Sequence, residues 1–259
     1  MKIINFLAIA GYFLLTLSSC RKKSDPPPPK PEGLFVKTVT CTFPVTENQR
    51  TVSFEYDDSN YIKKLTFDAS GLIMTGIYSY NEQGLIYHID QVITPKASGV
   101  RYPNVLKFNY VAGILNEFTT QETVYPVLYN AAANSYSYLN LTYDLDETGR
   151  LKNLSVPASN LVNASYLTDK GIFYAPTSQI ALHIHLCTFI RSAFGSYIPF
   201  IDLYAFSGSE LANIRIEGVQ YNLSAIRDDG GNIVQTDVKR ITGELVFRYT
   251  YTYESRVLN

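Results

Sequence analysis

A short pattern occurs three times between residues 52 and 89, and it limits the possible folds of this chain more than any other part of the sequence. Each copy places an aromatic residue and an Asp or Asn before a few small or polar residues, and a short apolar run follows. The copies begin at Tyr56-Asp57, Phe67-Asp68 and Tyr80-Asn81. Because Asp and Asn side chains start turns by hydrogen bonding to the backbone two residues on, the pattern predicts a succession of β-hairpins.

Glycine positions make this prediction specific. Gly71 and Gly84 follow their aromatic–Asx pairs at the distance of a tight turn, Asn60 takes the same place in the first copy, and Gly149 lies in a similar segment further on. We expect these three glycines to have a positive φ, or to lie within one residue of such a position, because residues with a Cβ rarely adopt that conformation.

The three copies and the segment Tyr143-Asp144-Leu145-Asp146-Glu147-Thr148-Gly149-Arg150-Leu151 resemble the YD repeats of the Rhs family. The family motif has the form Tyr-Asp, spacer, Gly, Arg and an apolar residue, and the spacer is longer in this last segment. The whole chain is similar to small Bacteroidota lipoproteins that carry degenerate repeats of this kind. The resemblance implies a β-hairpin architecture. The copies are too few and too irregular for the shell that large Rhs proteins wind around a toxin.

Alternation of apolar and polar residues predicts strands along the rest of the chain, as is typical of antiparallel sheets with one wetter face. It is clearest in residues 36–43, 50–56, 105–110, 136–143 and 245–253, and the segment 228–232 predicts a hairpin turn. No segment has a long 3.6-residue period, so at most a short helix is expected, near residues 188–195 or 158–164. The sequence therefore predicts an all-β, mostly antiparallel hairpin-repeat sheet, curled into a large open sheet, a sandwich or a barrel.

The N-terminus has the pattern of a lipoprotein signal peptide. Lys2 precedes an almost unbroken apolar run from Ile3 to Leu17, which is too short for a comfortable membrane span. Leu17-Ser18-Ser19-Cys20 then resembles a lipobox, and an ordinary signal peptide with a coincidental Cys is the alternative. Resemblance to bacterial lipoproteins implies that residues 1–19 are removed. Cys20 then becomes the diacylglyceryl-modified, N-acylated first residue, which anchors the chain to the membrane.

Residues 20–32 predict a tether. Prolines at positions 26–29 and 31 favour an extended polyproline II spacer, and Arg21-Lys22-Lys23 lies where it would meet anionic lipid head groups.

Residues 33–259 have one composition and contain no second linker, so we expect a single β-rich domain. The predicted location is the outer membrane. Only Asp25 is acidic near Cys20, which does not favour surface display over the periplasmic face.

Composition excludes one class of partner. The formal net charge is −1, and the chain contains 21 Tyr and 14 Phe but no Trp. A strongly basic nucleic-acid-binding surface is therefore excluded, and we expect no nucleic-acid partner.

The sharpest candidate site is His183-Ile184-His185-Leu186-Cys187. On a strand, the two His and the Cys would lie on one face and could bind Zn²⁺ or copper, with His88 as the only other His. The alternative is a half-buried strand whose polar face carries His by chance. Because His-x-His alone lacks a full ligand set, we expect no metal and no cofactor. On this view, replacing both His by Ala would cost little stability.

Two thiols remain after Cys20. Cys41 and Cys187 could form a disulfide in an oxidising compartment, or could stay apart as buried thiols, and sequence leaves both alternatives open.

No catalytic motif emerges, so the sequence predicts a non-enzymatic protein. Ser196 and Ser209 lie next to glycines in loop-like segments and lack an associated base. The acidic clusters Asp57-Asp58, Asp144/Asp146/Glu147 and Asp228-Asp229 could hold Ca²⁺ or act as carboxylate pairs, but turn capping explains them.

Tyrosine rows suggest the remaining alternative. Tyr249, Tyr251 and Tyr253, or Tyr136 and Tyr138, could form an exposed platform for a sugar or a peptide, or could instead face the core.

Taken together, these features predict a membrane-tethered envelope lipoprotein that acts as a binding or structural accessory. The alternatives are a glycan- or protein-binding component of a nutrient-uptake system and a metal-dependent activity at His183, His185 and Cys187.

Overall fold

The computed structural model describes residues 32–44, 48–171, 179–194 and 209–258. The predicted signal peptide, Cys20 and nearly all of the tether lie outside the described residues, as do Ser196 and its neighbours. The side chains of Lys170, Ser192 and Phe194 are likewise not described.

The described chain is almost entirely strand, with a single helix. The strands are β1 (Glu32–Thr42), β2 (Gln49–Tyr56), β3 (Ile62–Asp68), β4 (Leu72–Tyr80), β5 (Ile86–Pro95), β6 (Tyr102–Val111), β7 (Ile114–Thr120), β8 (Thr123–Pro126), β9 (Leu128–Asn130), β10 (Ser135–Tyr138), β11 (Leu141–Leu145), β12 (Leu151–Val156), β13 (Ser159–Lys170), β14 (Ser209–Ile216), β15 (Val219–Arg227), β16 (Ile233–Arg240) and β17 (Leu245–Val257). The helix, α1, spans Ile180–Phe194.

The strands form one barrel-like antiparallel sheet, which confirms the predicted all-β class. Neighbours in sequence pair from β1 to β8 and from β9 to β17, and β1 also pairs with β17. The ring closes through the segment β8–β9, whose first part pairs with β7 and whose second part pairs with β10. Buried Val127 lies at the change of partner, and its amide donates to the Asn116 carbonyl at 2.8 Å.

Alternation along each strand separates an apolar interior from a polar exterior. Across β2 and β3, Phe54 pairs with Leu65 on the inside, while Glu55 pairs with Lys64 on the outside. The same division holds on β16 and β17, where Val238 and Phe247 face inward and Asp237 and Arg248 face outward. The outer face of the described sheet is therefore mostly polar.

Helix α1 fills the interior. All of its side chains from Ile180 to Ile190 except Thr188 are buried, as expected for a helix that packs against protein around most of its circumference. Its contacts reach strands around the ring: Phe189 packs edge-on against Phe67 of β3, and the Thr188 hydroxyl lies 3.2 Å from the Tyr138 hydroxyl of β10.

The four Asx turns lie together at one end of the ring, which we call the Asx end; they are residues 57–61, 81–85, 146–150 and 228–232. In each turn, the amide of the Asp or Asn donates to the carbonyl four residues on, and the amide three residues on donates back to its carbonyl. The side-chain oxygen accepts from the last backbone amide of each turn. The first strand enters here as well, because Glu32 pairs with Val257 and Asn60 Nδ2 donates to the Val257 carbonyl at 2.8 Å.

The fourth residue of each Asx turn has a positive φ, at 67° for Asn60, 73° for Gly84, 81° for Gly149 and 78° for Gly231. The prediction is thus confirmed at Gly84 and Gly149. It is wrong at Gly71, which does not have a positive φ and has no such neighbour. The hairpin there is tighter, because the Ala69 amide donates directly to the Leu72 carbonyl at 2.9 Å, and this geometry needs no left-handed residue.

Tyrosine side chains add a second repeated device, which the sequence reasoning missed. A Tyr in the second half of a strand donates from its hydroxyl to a carbonyl in the first half of the preceding strand. The pairs are Tyr56 to Val36, Tyr80 to Ile62, Tyr110 to Ile86, Tyr166 to Leu151 and Tyr253 to Ile233, at 2.6–2.8 Å. We call this contact the tyrosine clasp. Burial raises the pKa of these phenols, so they remain protonated donors.

Two predictions of local structure need correction. Residues 136–143 are not one strand, because Leu139 has a φ of 51° and turns the chain between β10 and β11. Residues 158–164 are not helical but form the turn before β13 and its first part. The predicted helix near residues 188–195 is the second half of α1.

Candidate functional site

The Asx turn nearest to the YD motif starts at Asp146, not at Asp144. Tyr143 and Asp144 lie within β11, and Tyr143 is fully buried. Asp146 accepts from the amides of Thr148 and Arg150, and its second carboxylate oxygen lies 2.5 Å from Arg150 Nε. The apparent extra length of the spacer therefore reflects a turn that begins two residues later. These hydrogen bonds lower the pKa of Asp146 against the opposing effect of its burial.

The predicted strand from His183 to Cys187 is wrong, because these residues lie on α1. A residue two positions on is about 200° around a helix, so His185 points away from His183 and Cys187. The expected single face of two imidazoles and a thiol therefore does not form. Within the described residues, no group of three His, Cys, Asp or Glu side chains is arranged to hold a metal ion.

His185 is part of a buried hydrogen-bonded cluster. Its Nε2 lies 2.7 Å from Gln91 Oε1 on β5, and its Nδ1 lies 3.2 Å from the Tyr78 hydroxyl on β4. Burial lowers the pKa of His185 to about 3, so the ring is neutral at physiological pH. A neutral ring with Nε2–H donating to Gln91 and Nδ1 accepting from Tyr78 satisfies both contacts. Gly76 leaves room for this cluster, since a Cβ there would lie 3.3 Å from His185 Cε1.

His183 and Gln179 connect the helix to the Asx end. His183 Nε2 lies 3.3 Å from the Gly149 carbonyl, and burial lowers the pKa of this His to about 4. Gln179 Oε1 accepts from the Ile86 amide at 2.9 Å, and its Nε2 donates to the Gly84 carbonyl at 2.7 Å. The helix is thus held by two different Asx turns. Because the hydrogen bonds of His183 and His185 are buried, we expect that replacing both residues by Ala would destabilise the protein, contrary to the expectation from the sequence.

At its other end, α1 reaches the turn between β14 and β15, where Arg191 Nη1 lies 3.7 Å from Glu217 Oε1. Contacts at both ends of the ring place the helix along the interior, over a length of about 22 Å at 1.5 Å per residue.

The remaining thiols are buried. The structure holds Cys41 and Cys187 as thiols and not as a disulfide, which answers the alternative that the sequence left open. Burial raises the pKa of Cys187, so this thiol stays protonated. Cys41 lies beside the buried guanidinium of Arg50, at 3.7 Å from Nη2, and Arg50 also covers the Phe43 ring at 4.5 Å. Arg50 continues the inward alternation of β2, which is the signal that could have identified it.

The tyrosine rows do not form an exposed platform. Tyr249 and Tyr251 are buried and face the interior, and Tyr138 is buried as well. Tyr253 is used in a tyrosine clasp with Ile233. The core interpretation of these rows is therefore the correct one.

Residues of the acidic clusters accept hydrogen bonds from the turns and strands in which they lie. Asp57 and Asp228 accept backbone amides as the first residues of Asx turns, as Asp146 does. Asp144 instead accepts from Asn153 Nδ2 on the neighbouring strand. Of the serines considered, Ser209 opens β14 and pairs with Lys170.

A surface hollow that the sequence did not indicate lies on the outer face of β5, β6 and β7. It has a volume of about 670 Å³ and is lined by His88, Pro103, Asn104, Val105, Lys107, Thr119, Gln121 and Glu122. His88, Lys107 and Thr119 form one outward row across three strands. His88 Nε2 lies 3.0 Å from Asp90 Oδ1, so this imidazole is also tied to its own strand. The size is in the range of small-ligand sites.

The hollow arises from a step in the sheet. The last pair between β6 and β7 is Leu106 with Thr120, whereas β6 continues along β5 as far as Tyr102. Residues 103–105 therefore have a described strand neighbour on the β5 side only. The β7–β8 turn at Gln121-Glu122, where both residues have a positive φ, borders the step.

No helix in the described part of the chain has the length and apolar character needed to cross a membrane.

Comparisons with known proteins give distant structural matches. No family model matches the sequence, and no curated protein matches it. A porin-like protein from Bacteroides uniformis matches with a TM-score of 0.46 and 12% identity, over 85% of this chain and 98% of the other. A porin-like protein from Bacteroides vulgatus matches with a TM-score of 0.39 and 13% identity, over 86% and 99%. Both TM-scores lie below 0.5, so neither structure bears on the function of this chain.

Proposed function

We propose that this chain is a lipid-anchored, non-enzymatic module of the outer membrane that presents a rigid, water-facing barrel as a binding or structural accessory. In this proposal the signal peptide, residues 1–19, is removed, Cys20 carries the acyl chains, and the proline-rich tether leads to the barrel. The lipobox pattern and the short apolar run before it support the anchor.

The observation that carries the proposal is the polarity of the barrel. A barrel that crosses a membrane presents an apolar band to lipid and a polar interior, and this sheet has the reverse arrangement. Its outward positions include the ion pairs of Glu55 with Lys64 and Asp237 with Arg248. Its interior is packed with apolar side chains and α1. Such a sheet is stable in water, and its outer surface and turns are what it offers to a partner.

Acyl labelling tests the anchor. We expect wild-type protein expressed in its own host to incorporate labelled palmitate and to pellet with the outer membrane, and Cys20→Ala to lose both properties. Ser19→Ala is the matched control, because it keeps the small residue before the Cys. If labelled Cys20→Ala still pelleted with the membrane, the lipoprotein proposal would be refuted.

Conductance tests the water-facing barrel separately. Purified protein added to a planar lipid bilayer is expected to produce no discrete channels, because the interior is filled and the outer face is charged. Reproducible single-channel steps that depend on the protein would contradict the proposal, even if Cys20 were lipidated.

A further inference from the structure

We propose that the hollow on β5, β6 and β7 binds a short, extended peptide that has a free amino group and a free carboxylate. This inference rests on the proposed function, because it assigns a ligand site to the accessory module.

The hollow is bordered by one positive and one negative side chain. Lys107 and Glu122 both line the hollow and carry opposite charges, yet within the described residues neither forms an ion pair. By contrast, Glu55 and Lys64 lie 2.6 Å apart on the outer face, and Lys96 and Asp68 also lie 2.6 Å apart. Two opposite charges that border one hollow without meeting are complementary to a ligand that carries both signs.

The surface between these charges is partly apolar. Exposed Pro103 and Val105 give an apolar floor, and Val105 is 39% exposed. Thr119 and Gln121 add hydrogen-bonding groups around this floor. An apolar floor with amide and hydroxyl groups matches the side chains and peptide units of a short peptide.

The step in the sheet favours an extended ligand. Residues 103–105 of β6 have a strand partner on the β5 side only, which leaves a short length of strand edge beside the hollow. Exposed strand edges bind extended peptides through main-chain hydrogen bonds, while neighbouring pockets select the side chains. A glycan would use neither the edge nor the pair of opposite charges in this way.

Four tripeptides of the sequence Ala-Leu-Ala test the proposal on the full lipidated chain in detergent micelles, with binding measured by isothermal titration calorimetry. We expect saturable binding of the peptide with free ends. Acetylation of the amino end, or amidation of the carboxyl end, should each weaken binding by about tenfold, and blocking both ends should weaken it further.

Charge-removing variants then assign the ends. In Lys107→Met, the free acid and the amide should bind equally well, and in Glu122→Gln the free amine and its acetylated form should bind equally well. Lys239→Met, which removes an outward Lys on β16, is the control and should bind like wild type. Equal melting temperatures for all variants would show that each is folded.

Several results would overturn the inference. These are the absence of saturable binding by the wild type up to millimolar peptide, binding that is indifferent to both Lys107→Met and Glu122→Gln, or tight binding of a neutral oligosaccharide that competes with the peptide. Acyl labelling of Cys20 is measured independently. A failed anchor with intact peptide binding, or the reverse, would therefore distinguish the failure of the proposed function from the failure of this site.

Discussion

Replacing Gly84 by Ala tests both the backbone conformation of an Asx turn and the packing of a side chain against it. Gly84 has a φ of 73°, and an added Cβ would clash with Tyr61 Oη and lie 3.0 Å from Tyr61 Cζ. Tyr61 in turn stacks on Tyr80, with ring centroids 4.7 Å apart. The substitution therefore imposes a left-handed conformation on Ala and also displaces an aromatic ring.

The two costs can be estimated separately. Left-handed backbone costs a residue with a Cβ roughly 1–2 kcal/mol. An aromatic pair contributes about 0.5–1.5 kcal/mol beyond its buried area, part of which is lost if Tyr61 moves. We therefore expect Gly84→Ala to lower the free energy of unfolding by about 2–3 kcal/mol.

Two other glycines separate the contributions. Gly231 has a φ of 78°, but a Cβ added there would meet no atom within 4 Å, so Gly231→Ala should show the backbone cost alone, about 1–2 kcal/mol. Gly71 has neither a positive φ nor a neighbour within 4 Å. Gly71→Ala should therefore be neutral, or stabilising by up to about 1 kcal/mol through the unfolded chain.

Equilibrium unfolding in urea measures all three variants, with the midpoint converted at a common slope. The expected order of destabilisation is Gly84→Ala, then Gly231→Ala, then Gly71→Ala. If Gly84→Ala and Gly71→Ala unfolded at the same midpoint, the assignment of a strained left-handed turn at Gly84 would be refuted.

Three further predictions concern the interior and its clasps. Tyr80→Phe removes the 2.8 Å hydrogen bond to the Ile62 carbonyl and should cost about 1 kcal/mol in urea unfolding, whereas Tyr87→Phe, at an exposed ring, should cost nothing measurable. Lowering the pH from 7 to 5 should reduce stability by about 4 kcal/mol. The reason is that His183 and His185 have folded pKa values of about 4 and 3 and take up protons near pH 6.5 only when unfolded. His185→Gln should remove about half of this pH dependence, and an unchanged slope would contradict the buried neutral ring. Elemental analysis of protein purified without a His-tag should find no stoichiometric Zn²⁺ or copper, and about one ion per chain would overturn this expectation.

Local sequence patterns were enough to predict the class of the fold and the chemistry of its turns. Alternation along the strands, and Asp or Asn followed three residues later by Gly or Asn, are local patterns whose consequences depend on neighbours in the chain. That is why Asn60, Gly84 and Gly149 could be placed from sequence. Gly71 could not, because Asp68 and Gly71 have the same spacing in the sequence, although the chain there forms a tighter hairpin in which the Ala69 amide donates to the Leu72 carbonyl.

The element that fills the barrel and the position of the candidate site depend on contacts between residues that are far apart in the sequence. Apart from His183, His185 and Thr188, residues 180–190 are apolar, so the sequence shows no polar face with a 3.6-residue period, and the helix is stabilised by packing against the strands around it. For the same reason His183 and His185 looked like one face of a strand but contact different parts of the interior. The hollow depends on where β7 ends relative to β6, and Lys107 and Glu122 line the same hollow because of a strand register that no local pattern specifies.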